Sequence, residues 1–319
     1  RCFSDYELTY EREKLGPRKV KNCDIVTSMN PTAGSFVVDG RFQRQFATFS
    51  CQLPPGESLT IIFGSILDAH LQDFDSEMIP VGKAVGAAAG ELQATVADTF
   101  LPSAVKFHYI FNLRDISNVF GGLLRSESRF CSQPNVLVEL MLHEQNRVYR
   151  DRLIQEQDIR RFDAMLEEIC KKHFGSIEGC ENVFEKDPLI FTDFCANTGG
   201  DDKPYLAVKD WDQLNQVLEF QLNEHNETNA VMNLVLFNDA MEHVARIARI
   251  IGQPKGNALL VGVGGSGKQS MTKLASFVAE CQVFEIALSR GYGESEFRED
   301  LKVLFGLVGA ENKKVVFLF

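Results

Sequence analysis

No run in this sequence reaches the roughly 18 uninterrupted apolar residues that a membrane-spanning helix needs. The nearest approach, Val81 to Phe100, is broken by Lys83, Glu91 and Asp98, so a membrane is not an expected partner. C-x-x-C pairs are also absent, although eight cysteines are scattered at positions 2, 23, 51, 131, 170, 180, 195 and 281. Unclustered cysteines fit a reducing compartment, where they serve as small apolar residues. A disulfide framework and a structural zinc site are both disfavoured. Positive charge is in deficit, with 33 basic residues against 44 acidic ones and a formal net charge of −11. Nucleic acid, a polyanion, is therefore not the expected ligand. The one dense basic run, Arg12 to Lys21, reads as a solvated face. The sequence opens on Arg1 with no leader segment in view, and it reads as a stretch of something longer.

What is present is ordinary globular material. Of 319 residues, 45% are hydrophobic and 24% charged, enough to build two or three folded units. Cys23 to Met29 is β-prone and stops at Asn30-Pro31, and Phe46 to Leu53 alternates like a second short strand before Pro54-Pro55-Gly56. From Glu57 to about Phe174 the period becomes helical. Leu59, Ile62, Phe63, Ile66, Leu67 and Leu71 recur at three- and four-residue steps, and Phe162, Met165, Leu166 and Ile169 repeat the pattern. Both stripes are expected to be core. Gly199 to Pro204 reads as a linker, and Trp211 to Ile251 as mostly helical, with Val231 to Ile251 the stronger part.

After the Gly252-Gln253-Pro254-Lys255-Gly256 break the pattern changes again. Asn257 to Val263 (NALLVGV) is almost wholly apolar, as a strand buried on both faces of a parallel sheet would be. A glycine-rich turn follows, then a helix (Gln269 to Glu280), a strand (Val283 to Leu288), a helix (Glu294 to Gly306) and a strand (Val315 to Phe319). This alternation predicts a doubly wound α/β sheet, with the sequence stopping inside its third strand.

The turn carries the chemistry. Gly262, Val263, Gly264, Gly265, Ser266, Gly267, Lys268, Gln269 and Ser270 match G-x-x-x-x-G-K, a phosphate-binding loop. Glycines let successive backbone N–H groups point inward at phosphate oxygens, and Lys268 adds charge at the β and γ phosphates. The following helix presents its positive end. A chance glycine turn is the competing reading, and it is disfavoured because a strand pattern precedes the loop and a helix pattern follows. One position departs from the pattern. The residue after the lysine is normally Ser or Thr, whose hydroxyl holds Mg²⁺. Here it is Gln269, whose amide oxygen can serve, with Ser270 one place later. Nucleotide binding is thus a firmer expectation than hydrolysis. Hydrolysis also needs a carboxylate at the end of a neighbouring strand; Val315 to Phe319 has the right character, but the sequence stops before one appears.

Other candidates read blandly. His143 reads as an ordinary helix residue. Glu167-Glu168 and Asp201-Asp202 are adjacent pairs that diverge on a helix, and Gly291-Tyr292-Gly293 reads as a plain turn rather than as a second phosphate contact, the competing reading.

Several long segments together resemble the motor region of axonemal dynein heavy chains. NALLVGVGGSGKQS looks like the phosphate loop of the fourth AAA+ module of that family, in which Gln after the lysine is usual, and MNLVLFNDAMEHVARIARI looks like its helical lead-in. SMNPTAGSF (Ser28 to Phe36) followed by GRFQRQF (Gly40 to Phe46) is similar to the late part of the third module. The resemblance implies α/β P-loop AAA+ modules separated by a helical lid. It divides the chain into residues 1–53 (late third module), 54–200 (its lid), 201–252 (linker and lead-in) and 253–319 (first half of the fourth module). It implies a sensor role for Asn30, which also fits a plain Asn-Pro turn. Arginine-finger roles for Arg41 and Arg44 compete with surface ion pairing, and a sensor role for Arg114 competes with its being an ordinary neighbour of Asp115, exposed at a helix start. It further implies ATP and Mg²⁺ as ligands. Neighbouring modules of one ring, intermediate and light chains, and microtubules would be partners of the whole protein, in a ciliary or flagellar axoneme. Two alternatives remain open: a non-hydrolysing nucleotide switch that cements a ring, and an unrelated P-loop enzyme such as a kinase.

Overall fold

A computed structural model describes residues 8–11, 13–29, 38–52, 54, 56–180, 183–184, 186–196, 203–286 and 290–319, with the side chains of Leu8 and Tyr10 left aside. The chain divides into two compact units, Arg1–Pro54 and Pro55–Phe319. In the first, β1 (Leu8–Tyr10) and β2 (Pro17–Lys19) form an antiparallel hairpin with Thr9 opposite Arg18. A short helix, α1 (Gly40–Gln43), starts where the Asp39 side chain accepts the Arg41 N–H at 2.9 Å. The two strands expected at Cys23–Met29 and Phe46–Leu53 do not form among the described residues. Val26 and Phe49 stand largely exposed. A β-prone run becomes a strand only when a neighbour takes up its backbone groups and covers its face, and among the described residues none does.

The second unit opens with a helical bundle: α2 (Gly56–His70), α3 (Met78–Thr99), α4 (Leu113–Leu123), α5 (Pro134–Val148) and α6 (Glu156–Phe174). These helices enclose one core around Val85, Leu92, Phe120, Leu137, Met141, Tyr149 and Phe162. The expected stripe on α6 is buried at Phe162, Leu166 and Ile169, with Met165 packed against the core. On α2 the expectation holds only in part: Leu67 is buried and Phe63 packs beside it, but Ile62 and Ile66 are exposed. The stripe is wider than the surface the neighbouring helices cover. A reciprocal capping box sets the start of α4. Asn112 Oδ1 accepts the Arg114 N–H at 2.9 Å, and Asp115 Oδ2 accepts the Asn112 N–H at 2.7 Å.

A second core joins α7 (Trp211–Thr228), α8 (Asn238–Gly252) and α9 (Lys268–Val278) through Leu214, Leu218, Val244, Ala248, Leu274 and Ala275. Beside it, β3 (Phe191–Thr192) and β4 (Leu206–Ala207) pair antiparallel. The stretch before α8, expected to be helical, is extended: Met232, Leu234 and Leu236 pack inward while Val231, Val235 and Phe237 face out. Alternation with period two suits that conformation. Last come β5 (Gln282–Glu285), α10 (Glu294–Gly309) and β6 (Val315–Leu318). β5 and β6 run parallel, Val283 opposite Val316, with α10 between them in the chain, the strand–helix–strand alternation expected from sequence.

One expectation fails here. Residues 257–263 form no ladder with β5 or β6, and Leu259, Val261 and Val263 are 89%, 89% and 79% exposed rather than buried. Apolar character marks a segment able to line a sheet interior, but it does not itself supply the strands on either side.

Candidate phosphate-binding site

The glycine-rich loop stands where a helix begins. Lys268 is the first residue of α9, and Gly267 caps that helix in the left-handed region at φ 79°, with Gly265 also left-handed at φ 78°. Side chains with a Cβ rarely adopt that conformation, so glycine at both positions lets the loop turn back over the helix N-terminus. Gly262 is needed for a different reason. A Cβ there would lie 3.1 Å from Ser266 Oγ and 3.6 Å from Lys268 Nζ, inside the space those groups use. Around Gly264 and Gly265 the space is open. The loop is thus a concave run of backbone with a helix dipole behind it, suited to an anion.

Lys268 lies across the mouth of this cradle. Its Nζ donates to the carbonyl oxygens of Gly262 at 2.7 Å and Val263 at 2.6 Å, and sits 3.2 Å from Ser266 Oγ. The ammonium is therefore held over the loop, with the loop's own carbonyls fixing its direction. A residue pair outside the motif completes the site. Gln269 Nε2 donates to Glu285 Oε1 at 3.3 Å, while Lys273 Nζ pairs with Glu285 Oε2 at 2.8 Å. Gln269 and Lys273 stand one turn apart on the same face of α9, and Glu285 is the last residue of β5. No sequence signal marks Glu285, because its partners are 16 and 12 positions away across a strand–helix packing. The donor set suits magnesium nucleotide: backbone N–H groups, an ammonium and a neutral amide oxygen are hard-ligand and anion partners. Ser270, the second hydroxyl candidate, lies in the first turn of α9.

Behind the loop, α9 is fixed to the bundle through α8. Arg249 of α8 donates from Nε to Glu144 Oε1 of α5 at 3.1 Å, and its second nitrogen bonds Glu144 Oε2. Both groups are out of water, Glu144 0% and Arg249 6% exposed. A Cβ on Gly122 would fall 1.9 Å from Glu144 Oε2, so only glycine on α4 leaves room for the carboxylate. Arg147 pairs with Glu242 at 3.0 Å, and Asp151 with Arg246 at 3.3 Å, extending the same seam. His143, read from sequence as an ordinary helix residue, is part of this cluster. Its Nδ1 lies 3.1 Å from the Leu189 carbonyl and so carries the proton, and its Nε2 lies 3.0 Å from the oxygen of the Tyr205 hydroxyl, whose own proton goes to Glu144. The same hydroxyl lies 2.9 Å from Glu144 Oε1. Burial, with the charges of Arg147 and Arg249, holds the imidazole well below its ordinary pKa, so it stays neutral. The Tyr205 phenol is raised by burial and by the Glu144 charge.

The remaining candidates are dispersed. Asn30 lies outside the described residues. Arg41 and Arg44 are exposed, in and just after α1 of the first unit. Arg114 is exposed in the first turn of α4. That is where the bland reading placed it, at an exposed helix start, while its neighbour Asp115 is buried and pairs with Arg152. Cys131, Cys170 and Cys195 are buried like small apolar residues, which pushes the thiols of Cys131 and Cys195 up to about 11 and that of Cys170 to about 12, whereas Cys23 and Cys51 are exposed. Among the described residues no group of His, Cys, Asp and Glu could hold a metal ion, and no helix is long and apolar enough to cross a membrane.

Three family models match. Residues 232–319 match "P-loop containing dynein motor region D4", residues 85–183 match "AAA+ lid domain", and residues 1–54 match "P-loop containing dynein motor region". Over its full length the chain is 44% identical to the ciliary dynein beta chain of Tripneustes gratilla. It is 43% identical to the flagellar outer arm dynein beta chain of Chlamydomonas reinhardtii and 43% identical to the axonemal dynein heavy chain 17 of Homo sapiens, again over all of its residues. It spans 7% of the length of each of these relatives.

Proposed function

We propose, on the premise that this chain belongs to the dynein heavy-chain motor family, that residues 262–270 bind ATP with Mg²⁺ as one nucleotide site of an axonemal motor ring. The observation that carries the reading is Lys268 at the first position of α9. Its ammonium is aimed by two loop carbonyls, and two left-handed glycines bend the loop over the helix N-terminus. In this reading the loop N–H groups and Lys268 take the phosphates, and Gln269, with Ser270 behind it, holds the metal that screens them.

The chain is read as four parts: 1–53, 54–200, 201–252 and 253–319, the first two belonging to one module and the last to the next. Within the assembled ring, Arg41 and Arg44 serve as fingers toward a neighbouring nucleotide, a task suited to a permanently charged guanidinium. Asn30 and Arg114 report nucleotide state within the first of these modules. Neighbouring modules, intermediate and light chains, and microtubules are partners of the whole protein in the cilium or flagellum, where it drives minus-end-directed motility. A second reading, a regulatory site that binds without rapid turnover, is favoured by one residue: Gln269 in the position normally held by Ser or Thr.

Calorimetric titration of the full chain with magnesium ATP tests the proposal. Lys268→Ala is expected to weaken binding roughly tenfold or more, the scale of a charge-assisted contact to phosphate. Equal affinity in both proteins, or no binding in either, would sink it.

A further inference from the structure

The departure at Gln269 raises a chemical question that the surrounding geometry answers. A hydroxyl presents a metal with one oxygen on a short arm. A glutamine side chain is longer, and its planar end carries an oxygen on one side and an NH₂ on the other, of which only the oxygen is a metal ligand. Left free, the amide samples many rotamers and both flips, which weakens any ligand it offers.

Glu285 removes that freedom. Its carboxylate accepts and cannot donate, so only the NH₂ end of Gln269 can face it, at 3.3 Å. With Nε2 committed to Glu285, Oε1 is left as the other, unengaged end of the planar amide. The carboxylate is itself held by Lys273, whose Nζ lies 2.8 Å from the second oxygen. One strand end thus clamps two successive turns of the phosphate-loop helix. Glu285 also stands at the carboxyl end of a parallel strand, the edge at which open α/β sheets receive ligands.

We infer that Glu285 is a positioning residue that fixes the Gln269 amide so that its oxygen serves as the magnesium ligand, in place of the usual hydroxyl. The inference rests on the nucleotide-site reading above. It makes Glu285 specific to the metal-bound form of the nucleotide, because its contacts at the site are to the Gln269 amide and to Lys273.

The test compares ATP affinity of the full chain in excess Mg²⁺ and in EDTA, by calorimetry. In the starting protein Mg²⁺ should strengthen binding. Glu285→Ala should weaken magnesium ATP binding about five- to tenfold, the scale of one charge-assisted hydrogen bond, and leave metal-free affinity within about twofold. In a Gln269→Thr background, where a hydroxyl replaces the amide, Glu285→Ala should have no effect on either. Glu285→Gln, which keeps the volume but can present either end of an amide, should fall between; it is the comparison to use if Glu285→Ala proves poorly folded by circular dichroism. An equal loss with and without Mg²⁺ would overturn the inference, as would an undiminished loss in the Gln269→Thr background, or no change in Glu285→Ala. If the starting protein binds ATP under neither condition, the nucleotide-site reading itself fails, and this inference with it.

Discussion

Replacing Arg249 by Met gives the sharpest test of how the phosphate-loop helix is anchored. Met keeps much of the apolar stem of Arg249 while deleting its charge. In the folded chain this strands the Glu144 carboxylate, 0% exposed, with the Tyr205 hydroxyl at 2.9 Å as its remaining hydrogen-bond donor among the described residues. Removing one member of a buried ion pair costs about 3–5 kcal/mol, because the survivor is neither solvated nor neutralised. For a folded unit of more than 150 residues, 1 kcal/mol corresponds to roughly 2–4 °C in Tm, so the melting temperature should drop by about 6–20 °C. Thermal unfolding followed by circular dichroism at neutral pH measures this directly. The companion Glu144→Leu/Arg249→Met protein separates the charge effect from lost packing. With both charges gone and the volume kept, much of the loss should be recovered, since an apolar replacement of a whole buried pair is often neutral or better. A single variant within about 1 kcal/mol of the starting protein, or a double variant as unstable as the sum of the singles, would refute the anchoring argument.

Two further expectations concern stability, beside the Lys268→Ala and Glu285→Ala binding tests. His143 is neutral in the fold with its pKa well below the ordinary 6.5, whereas the unfolded chain takes up a proton below that value. The unfolded state then binds more protons, so stability should fall as pH drops from about 6.5 toward 5, by up to about 1.4 kcal/mol per pH unit from this group. Urea midpoints at pH 7.5 and 5.5 should differ less in His143→Gln than in the starting protein; an unchanged difference excludes His143 as its source. Asn112→Ala removes one half of the capping box that starts α4 and should cost about 1 kcal/mol by urea unfolding at constant m-value. A cost indistinguishable from zero would mean that solvent replaces the cap.

Local chemistry was legible in the amino-acid order. The glycine-rich loop, the helix that follows it, and the buried face of α6 all depend on residues within a turn or two of each other, and β5 and β6 were each marked by their own apolar run. Spacing and composition therefore determined them without knowledge of the rest of the fold. The apolar runs at 23–29 and 257–263 show the limit of that reasoning. Hydrophobicity states what a segment could bury against, and the outcome depends on which surfaces reach it. The same limit left Ile62 and Ile66 of α2 in solvent beside buried Leu67.

What only the tertiary structure decided is who meets whom across long stretches of chain. Glu144 and Arg249 are 105 positions apart, and nothing in either neighbourhood names the other. His143 looked like any helix residue until the Leu189 carbonyl and the Tyr205 hydroxyl closed on its two nitrogens. Glu285 reached Gln269 and Lys273 only when the end of β5 packed against the first two turns of α9. Sequence periodicity follows from the backbone geometry of a single element, whereas a pairing between elements depends on how they pack. A charged side chain acquires its function from the partner that packing delivers and from the water that packing removes.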